Sequence, residues 1–185
     1  HPEELNIQAK VKNNTDAVSK LASQNTNDQS WYIPYVIEPS AGVDRGLLAL
    51  LCEAYTEEVL DNGNSRTVLK LAHHLSPIKA AIIPLAKNNP TIIALCKKIT
   101  AELKSTINGQ ITLENTGNIG KAYRKHDEIG TPVCITIDFE TIGAENSAAE
   151  NHNTVTVRDR DTLKQKRVPI NQLSNYLNDN YFSNT

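Results

Sequence analysis

Glu38 and Arg45 are the side chains best placed to do chemistry. Glu38 ends an aromatic and β-branched run, Trp31-Tyr32-Ile33-Pro34-Tyr35-Val36-Ile37, and Arg45 follows seven residues later, past Pro39-Ser40-Ala41-Gly42. Such a run favours a strand, with Pro34 at its start or at an edge. Gly42 lets the chain turn tightly into a helix that carries Arg45 in its first turn. Unpaired amides and the macrodipole attract anions to a helix start. An arginine there can hold a phosphate through two hydrogen bonds or lie over a planar ring. The same two side chains can instead close a strand–helix junction as a salt bridge, and the spacing alone leaves both readings open.

A second set of candidates is basic. Lys121, Arg124 and Lys125 fall on one exposed face of an expected helix, and Arg158, Arg160 and Lys164 cluster near an expected hairpin. Single-stranded RNA is read by hydrogen bonds to base edges and by stacking on planar groups, arginine among them. Asp127, Glu128 and Asp159 could accept from cytosine amino groups. Alternating charges of this kind also form salt bridges on a solvated surface. The formal net charge of −2 gives no global basic field, so any RNA contact must rely on local patches. Cys52, Cys96 and Cys134 are far apart and embedded in apolar segments, with no C-x-x-C pair, and His73 and His74 are adjacent, so no metal site is expected.

The elements that would position these residues follow from periodicity. Leu47, Leu48, Leu51, Ala54, Tyr55 and Val59 recur at helical spacing and predict a helix from Val43 to Leu60, ended by Asp61-Asn62-Gly63-Asn64. Lys79 to Leu85 reads as a strand covered on both faces. Asn89-Pro90 opens a helix with the stripe Ile92, Leu95, Ile99 and Leu103. A short strand holds Ile111 and Leu113, Asn118 caps a helix that ends at Gly130, and Val133 to Phe139 form another strand. Thr154–Arg158 and Gln165–Pro169 are two further strands, Asn171 caps a last helix with Leu173 and Leu177, and residues 178–185 are expected to fray. The order β-α-β-α-β-β-β-α predicts an α/β fold: a mixed five-stranded sheet, three strands parallel and a hairpin added, covered by about three helices.

Hydrophobic residues make up 39% and charged residues 22% of the 185, as in ordinary globular proteins. No apolar run approaches the roughly 20 residues that span a bilayer, and His1 to Lys10 is too polar for a signal peptide, so a cytoplasmic location without membrane contact is expected. No methionine occurs, so either an initiator has been removed or the chain is a fragment of a longer protein, and the fragment is the expected reading.

The segment Pro34-Tyr35-Val36-Ile37-Glu38-Pro39-Ser40-Ala41-Gly42-Val43-Asp44-Arg45, continuing through Leu50-Leu51-Cys52-Glu53-Ala54-Tyr55, resembles motif 3 of class II glycyl-tRNA synthetases. Asn118 to Pro132 and Thr154 to Thr162 resemble signature segments of the anticodon-binding domain shared by synthetases for glycine, histidine, threonine and proline, and Ser76 to Ala81 resembles its first strand. The resemblance covers about residues 31–178. It implies that residues 1–75 are the C-terminal part of a catalytic domain and residues 76–185 an anticodon-binding domain. It implies that Glu38 holds the ammonium of glycine, that Ser40 narrows the pocket, and that Arg45 packs on the adenine of ATP and reaches its terminal phosphate. Lys121, Arg124, Lys125, Asp127, Glu128, Arg158, Asp159 and Arg160 would then face the anticodon of glycine tRNA, whose cytosines suit the acids among them. The parent would activate glycine with ATP and Mg²⁺, transfer it to tRNA and work as a homodimer. The fragment, lacking motifs 1 and 2, is expected to be inactive by itself and to carry no bound cofactor. Ile7 to Asp16 departs from the family strand at this point, with Asn14 where an arginine is expected. That departure leaves room for a second reading, a non-catalytic relative that binds nucleic acid or serves as an accessory subunit. A flavodoxin-like small-molecule binder ranks last, because no glycine-rich loop follows the Ile82-Ile83 strand.

Overall fold

The computed structural model describes residues 23–32, 39–60, 63–144 and 149–182. The chain divides into two compact units, residues 1–42 and 43–185. In the first, β1 (Ser23–Gln24) pairs antiparallel with β2 (Trp31–Tyr32). Residues 33–38, including Glu38 and the rest of the expected strand, lie outside the described residues, as do residues 7–16.

The second unit opens with α1 (Val43–Ala54), then β3 (Tyr55–Val59) and β4 (Ser65–Leu69). The helix expected to reach Leu60 therefore stops at Ala54. Tyr55 and Val59 continue the helical stripe, but Tyr55-Thr56-Glu57-Glu58-Val59 also alternates, and the strand form gains an antiparallel partner running from Tyr55↔Leu69 to Val59↔Ser65. Gly63, with φ 78°, sits in the connection. Within this hairpin Arg66 and Val68 are the buried positions of β4.

The rest of the unit is built on a five-stranded sheet. In chain order come β5 (Ile78–Pro84), α2 (Pro90–Thr106), β6 (Gln110–Leu113), α3 (Ile119–Glu128), β7 (Val133–Ile137), β8 (Thr154–Asp159), β9 (Gln165–Pro169) and α4 (Leu173–Leu177). The spatial order is β6-β5-β7-β8-β9; β5 runs parallel to β6 and β7, β8 is antiparallel to β7, and β9 is antiparallel to β8. This is the expected mixed sheet.

Alternation along the strands separates two faces. Ala80 and Ile82 of β5, Val133, Ile135 and Ile137 of β7, and Val155 and Val157 of β8 pack with Ile92, Cys96, Ile99 and Leu103 of α2 and with Leu173 and Leu177 of α4. Ala81, Ile83 and Cys134 face the other way and meet Ala122 of α3. Asn89 caps α2 as expected, its side-chain oxygen accepting from the amides of Thr91 and Ile92. Two expectations at the C-terminus need correction. Asn171 does not cap α4; residues 170–172 form a 3₁₀ turn, and Gln172 precedes the helix without a side-chain cap bond. Asn178–Phe182 does not fray but winds on as a π turn, where the Tyr181 ring packs 5.3 Å from that of His73 and 6.5 Å from that of Tyr176. Cys96 and Cys134 are buried thiols, pushed up to about 12 by burial, whereas Cys52 is exposed on α1.

Candidate nucleic-acid interface

Helix α3 is fixed at both ends. The Asn118 side-chain oxygen accepts from the Lys121 amide at 2.9 Å, satisfying an orphan donor of the first turn. Gly130 ends the turn that follows with φ 79°, and a Cβ added there would lie 2.9 Å from the Leu69 carbonyl oxygen of β4. Glycine is required at that position for both conformation and space.

With its ends set, α3 turns Ala122, His126 and Asp127 inward. Lys121, Arg124, Lys125 and Glu128 are exposed. Lys121 and Arg124 make no ion pair with any described residue. Lys125 donates to Glu114, just beyond β6, and Thr116 donates to the same carboxylate. Burial alone would push the Glu114 carboxyl up, but these donors outweigh it and hold it at about 2. His126 is 1% exposed; its Nδ1 lies 2.9 Å from the Thr131 hydroxyl, and its Nε2 has no hydrogen-bond partner and sits 3.7 Å from Glu114. Burial lowers the imidazole's proton affinity.

Asp127 is the centre of a buried charge network. Arg158 of β8 donates from both terminal nitrogens to the two Asp127 oxygens at 2.9 Å each, and its guanidinium lies 4.6 Å from the Tyr123 ring centroid. Arg66 of β4 adds a third bond to Asp127 at 3.2 Å. Arg160 donates to the carbonyls of Gly130 and Leu71, at 2.9 Å each, and to Asp161. Arg158 and Arg160 are 7% and 2% exposed. Asp159 is half-buried, with one oxygen accepting from the amide and the hydroxyl of Thr162 at 2.7 Å each to close the β8–β9 turn.

The basic and acidic residues expected to face the anticodon therefore separate. Lys121, Arg124, Lys125 and Glu128 share the outer side of α3, Asp127, Arg158 and Arg160 lie beneath it with their donors and acceptors engaged inside the protein, and Asp159 is half-buried at the β8–β9 turn. Arg66, Glu114 and Tyr123 complete the arrangement and were missed. Only Arg66 carried a signal, as an inward position alternating with Val68 in β4. Ser40 and Arg45 are both exposed, Ser40 in the first unit and Arg45 in the first turn of α1. Among the described residues no three His, Cys, Asp or Glu side chains converge on a point that could hold a metal ion. Nor is any described helix long and apolar enough to cross a membrane.

The profile of the anticodon binding domain matches residues 79–180, more than half of the chain and all of the five-stranded sheet except Ile78, with α2 to α4. The chain belongs to the anticodon-binding domain family. The anticodon-binding domain here also has close relatives over a longer stretch. The chain is 53% identical over 175 residues to a glycine–tRNA ligase of Deinococcus radiodurans, covering 94% of this chain and 35% of that protein. It is 50% identical over 176 residues to a glycine–tRNA ligase of Thermus thermophilus, covering 95% and 35%. A glycine–tRNA ligase of Clostridium beijerinckii is 48% identical over 154 residues, covering 83% and 30%. The chain spans about a third of the length of these curated relatives.

Proposed function

We propose that this chain serves a glycine–tRNA ligase, its anticodon-binding domain holding the anticodon loop of glycine tRNA while residues before 76 contribute to the site that joins glycine to ATP. The observation that carries this is the 53% identity to the Deinococcus protein, which extends over 175 residues and so well beyond the matched domain. In this reading residues 1–75 belong with the catalytic part and residues 76–185 with the RNA-binding part. Glu38 binds the ammonium of glycine, Ser40 lines its pocket, and Arg45 lies against ATP. The complete ligase uses ATP together with Mg²⁺. The complete ligase is a cytoplasmic homodimer.

Direct contact with RNA falls to the exposed members of the set. Lys121 and Arg124 lie free of ion pairs with described residues, and Glu128 beside them offers an acceptor to a base amino group. Lys125 adds charge from its pairing with Glu114. Asp127, Arg158 and Arg160 act from beneath, by fixing α3 and the β8–β9 turn that carries Asp159.

The test uses a stem-loop RNA with the anticodon arm of glycine tRNA, titrated into the chain by fluorescence anisotropy over a range of salt. Replacing Lys121 and Arg124 together by alanine should weaken binding and flatten the salt dependence by about 1.4 in log–log slope, about 0.7 for each lost contact to a single-stranded phosphate. A wild-type chain that binds the stem-loop no better than one with an altered anticodon sinks the reading.

A further inference from the structure

Arg66 lies outside the matched domain, thirteen residues before it begins, yet it enters the charge network beneath α3. Its side chain is 4% exposed, so it cannot itself touch RNA. Nε and one terminal nitrogen donate to Glu58, across the hairpin on β3. The other terminal nitrogen donates to Asp127 of α3 at 3.2 Å and to the Arg160 carbonyl, next to the β8–β9 turn, at 2.9 Å. Arg160 in turn donates to the Gly130 carbonyl just past α3. The result is a closed circuit: β4 to Asp127, along the end of α3 to Gly130, from there to Arg160, and back to Arg66.

We propose that Arg66 is a positioning residue for RNA recognition, clamping α3 and the β8–β9 turn at a fixed separation so that Lys121 and Arg124 meet the RNA in register with that turn. The inference rests on the reading of α3 as the RNA-facing helix. Its physical basis is the planar fork of the guanidinium, which holds donors aimed at Glu58 on one side and at Asp127 and the Arg160 carbonyl on the other. An ammonium has no such fork; a lysine at position 66 reaches Glu58 or Asp127, not both. Without Arg66 the Asp127 carboxylate still has Arg158 and the Gly130 carbonyl still has Arg160, but the branch that joins Asp127 to the Arg160 carbonyl and both to β4 is gone, and with it part of the pre-organised spacing on which tight binding depends.

The experiment uses the 185-residue chain with Arg66→Lys and Arg66→Met, each measured well below its own melting temperature. Two readouts are taken: hydrogen exchange of the backbone amides, and affinity for the glycine anticodon stem-loop as a function of salt. The proposal expects the amides of β5 and β7 to stay protected while those of α3 exchange faster. The dissociation constant should rise roughly two- to thirtyfold, the range for a residue that acts through a network. The salt slope should stay at the wild-type value, because no phosphate contact is removed. Unchanged affinity, or exchange in α3 as slow as in the wild type, overturns the proposal. A flattened slope overturns it too, by making Arg66 a direct contact. If the wild-type chain does not bind the stem-loop at all, the RNA reading fails, and the exchange data still decide whether Arg66 holds α3.

Discussion

Replacing Asp127 by asparagine removes a charge shared by two guanidiniums at almost constant side-chain volume. The Asp127, Arg66 and Arg158 side chains are 2%, 4% and 8% exposed, so water cannot take over the lost interaction. The amide also turns one acceptor into a donor, which then faces an arginine. Removing one partner of a buried pair costs about 3–5 kcal/mol, because the remaining charge stays buried without compensation. The compact unit that contains the network has roughly 140 residues, for which an unfolding entropy of about 2.1 cal/mol/K per residue amounts to roughly 0.3 kcal/mol/K. Asp127→Asn should therefore lower the melting temperature by roughly 10–17 °C. Circular dichroism melts at neutral pH would measure this for Asp127→Asn, Arg158→Met and the double variant. The double variant should recover part of the loss, since it no longer leaves the Arg158 charge stranded, and Arg66 keeps Glu58. A shift of less than about 3 °C for Asp127→Asn, or strict additivity in the double variant, would refute the argument that the three groups act as one buried network.

Two further outcomes follow from the same region. Gly130→Ala should destabilise more than Gly117→Ala, although both glycines have positive φ: each pays about 1–2 kcal/mol for left-handed backbone, but at Gly130 the new Cβ would also meet the Leu69 carbonyl at 2.9 Å, whereas at Gly117 its nearest neighbour is 3.5 Å away. Equal melting temperatures for the two variants would remove the backbone clash from the explanation. Stability should also fall as the solution is acidified. Glu114 is held near 2 against an ordinary 4.5, so its contribution is present above 4.5 and is lost as pH falls towards 2. Burial lowers His126 below its ordinary 6.5, so the unfolded chain takes up that proton more readily, and stability is lost as pH falls through 6.5 and below. The urea midpoint should decline from about pH 7 to about pH 2, His126→Gln flattening the upper part and Glu114→Gln the part below about pH 4.5; a constant midpoint contradicts both assignments.

The sheet was legible because its strands announce themselves locally. Ile82-Ile83 and Val133 to Ile137 are apolar enough to be buried on both faces, and Asn89-Pro90, Asn118 and Gly130 mark helix ends by their own chemistry. The β3–β4 hairpin was hidden for a physical reason: Tyr55 and Val59 fit the stripe of α1, and what selects the strand is a partner ten residues further on. The C-terminal turn was hidden likewise, since Tyr181 is ordered by His73, more than a hundred residues earlier. In the candidate interface, the basic face of α3 followed from helical spacing. The burial of Arg158 and Arg160 did not, because a charged residue in a hairpin looks the same from sequence whether it meets water or a carboxylate. Asp127 decides that, and it is thirty-one residues from its partner in β8.

That concealment bears on how such a domain binds RNA while the chain carries a net charge of −2. Counting cations overstates the attraction. Arg66, Arg158 and Arg160 are neutralised beneath the surface by Glu58, Asp127 and Asp161, and Lys125 is shared with Glu114. On α3, Lys121 and Arg124 are left exposed and without an ion pair to any described residue. A pair of cations gives a shallow salt dependence and modest non-specific affinity. Discrimination must then come from contacts to bases held at fixed geometry, for which rigidity of the supporting elements matters more than charge. The buried arginines suit that role: spending guanidiniums on Asp127 and on the Gly130, Leu71 and Arg160 carbonyls lowers the field that would hold any RNA and stiffens the surface that must tell one RNA from another.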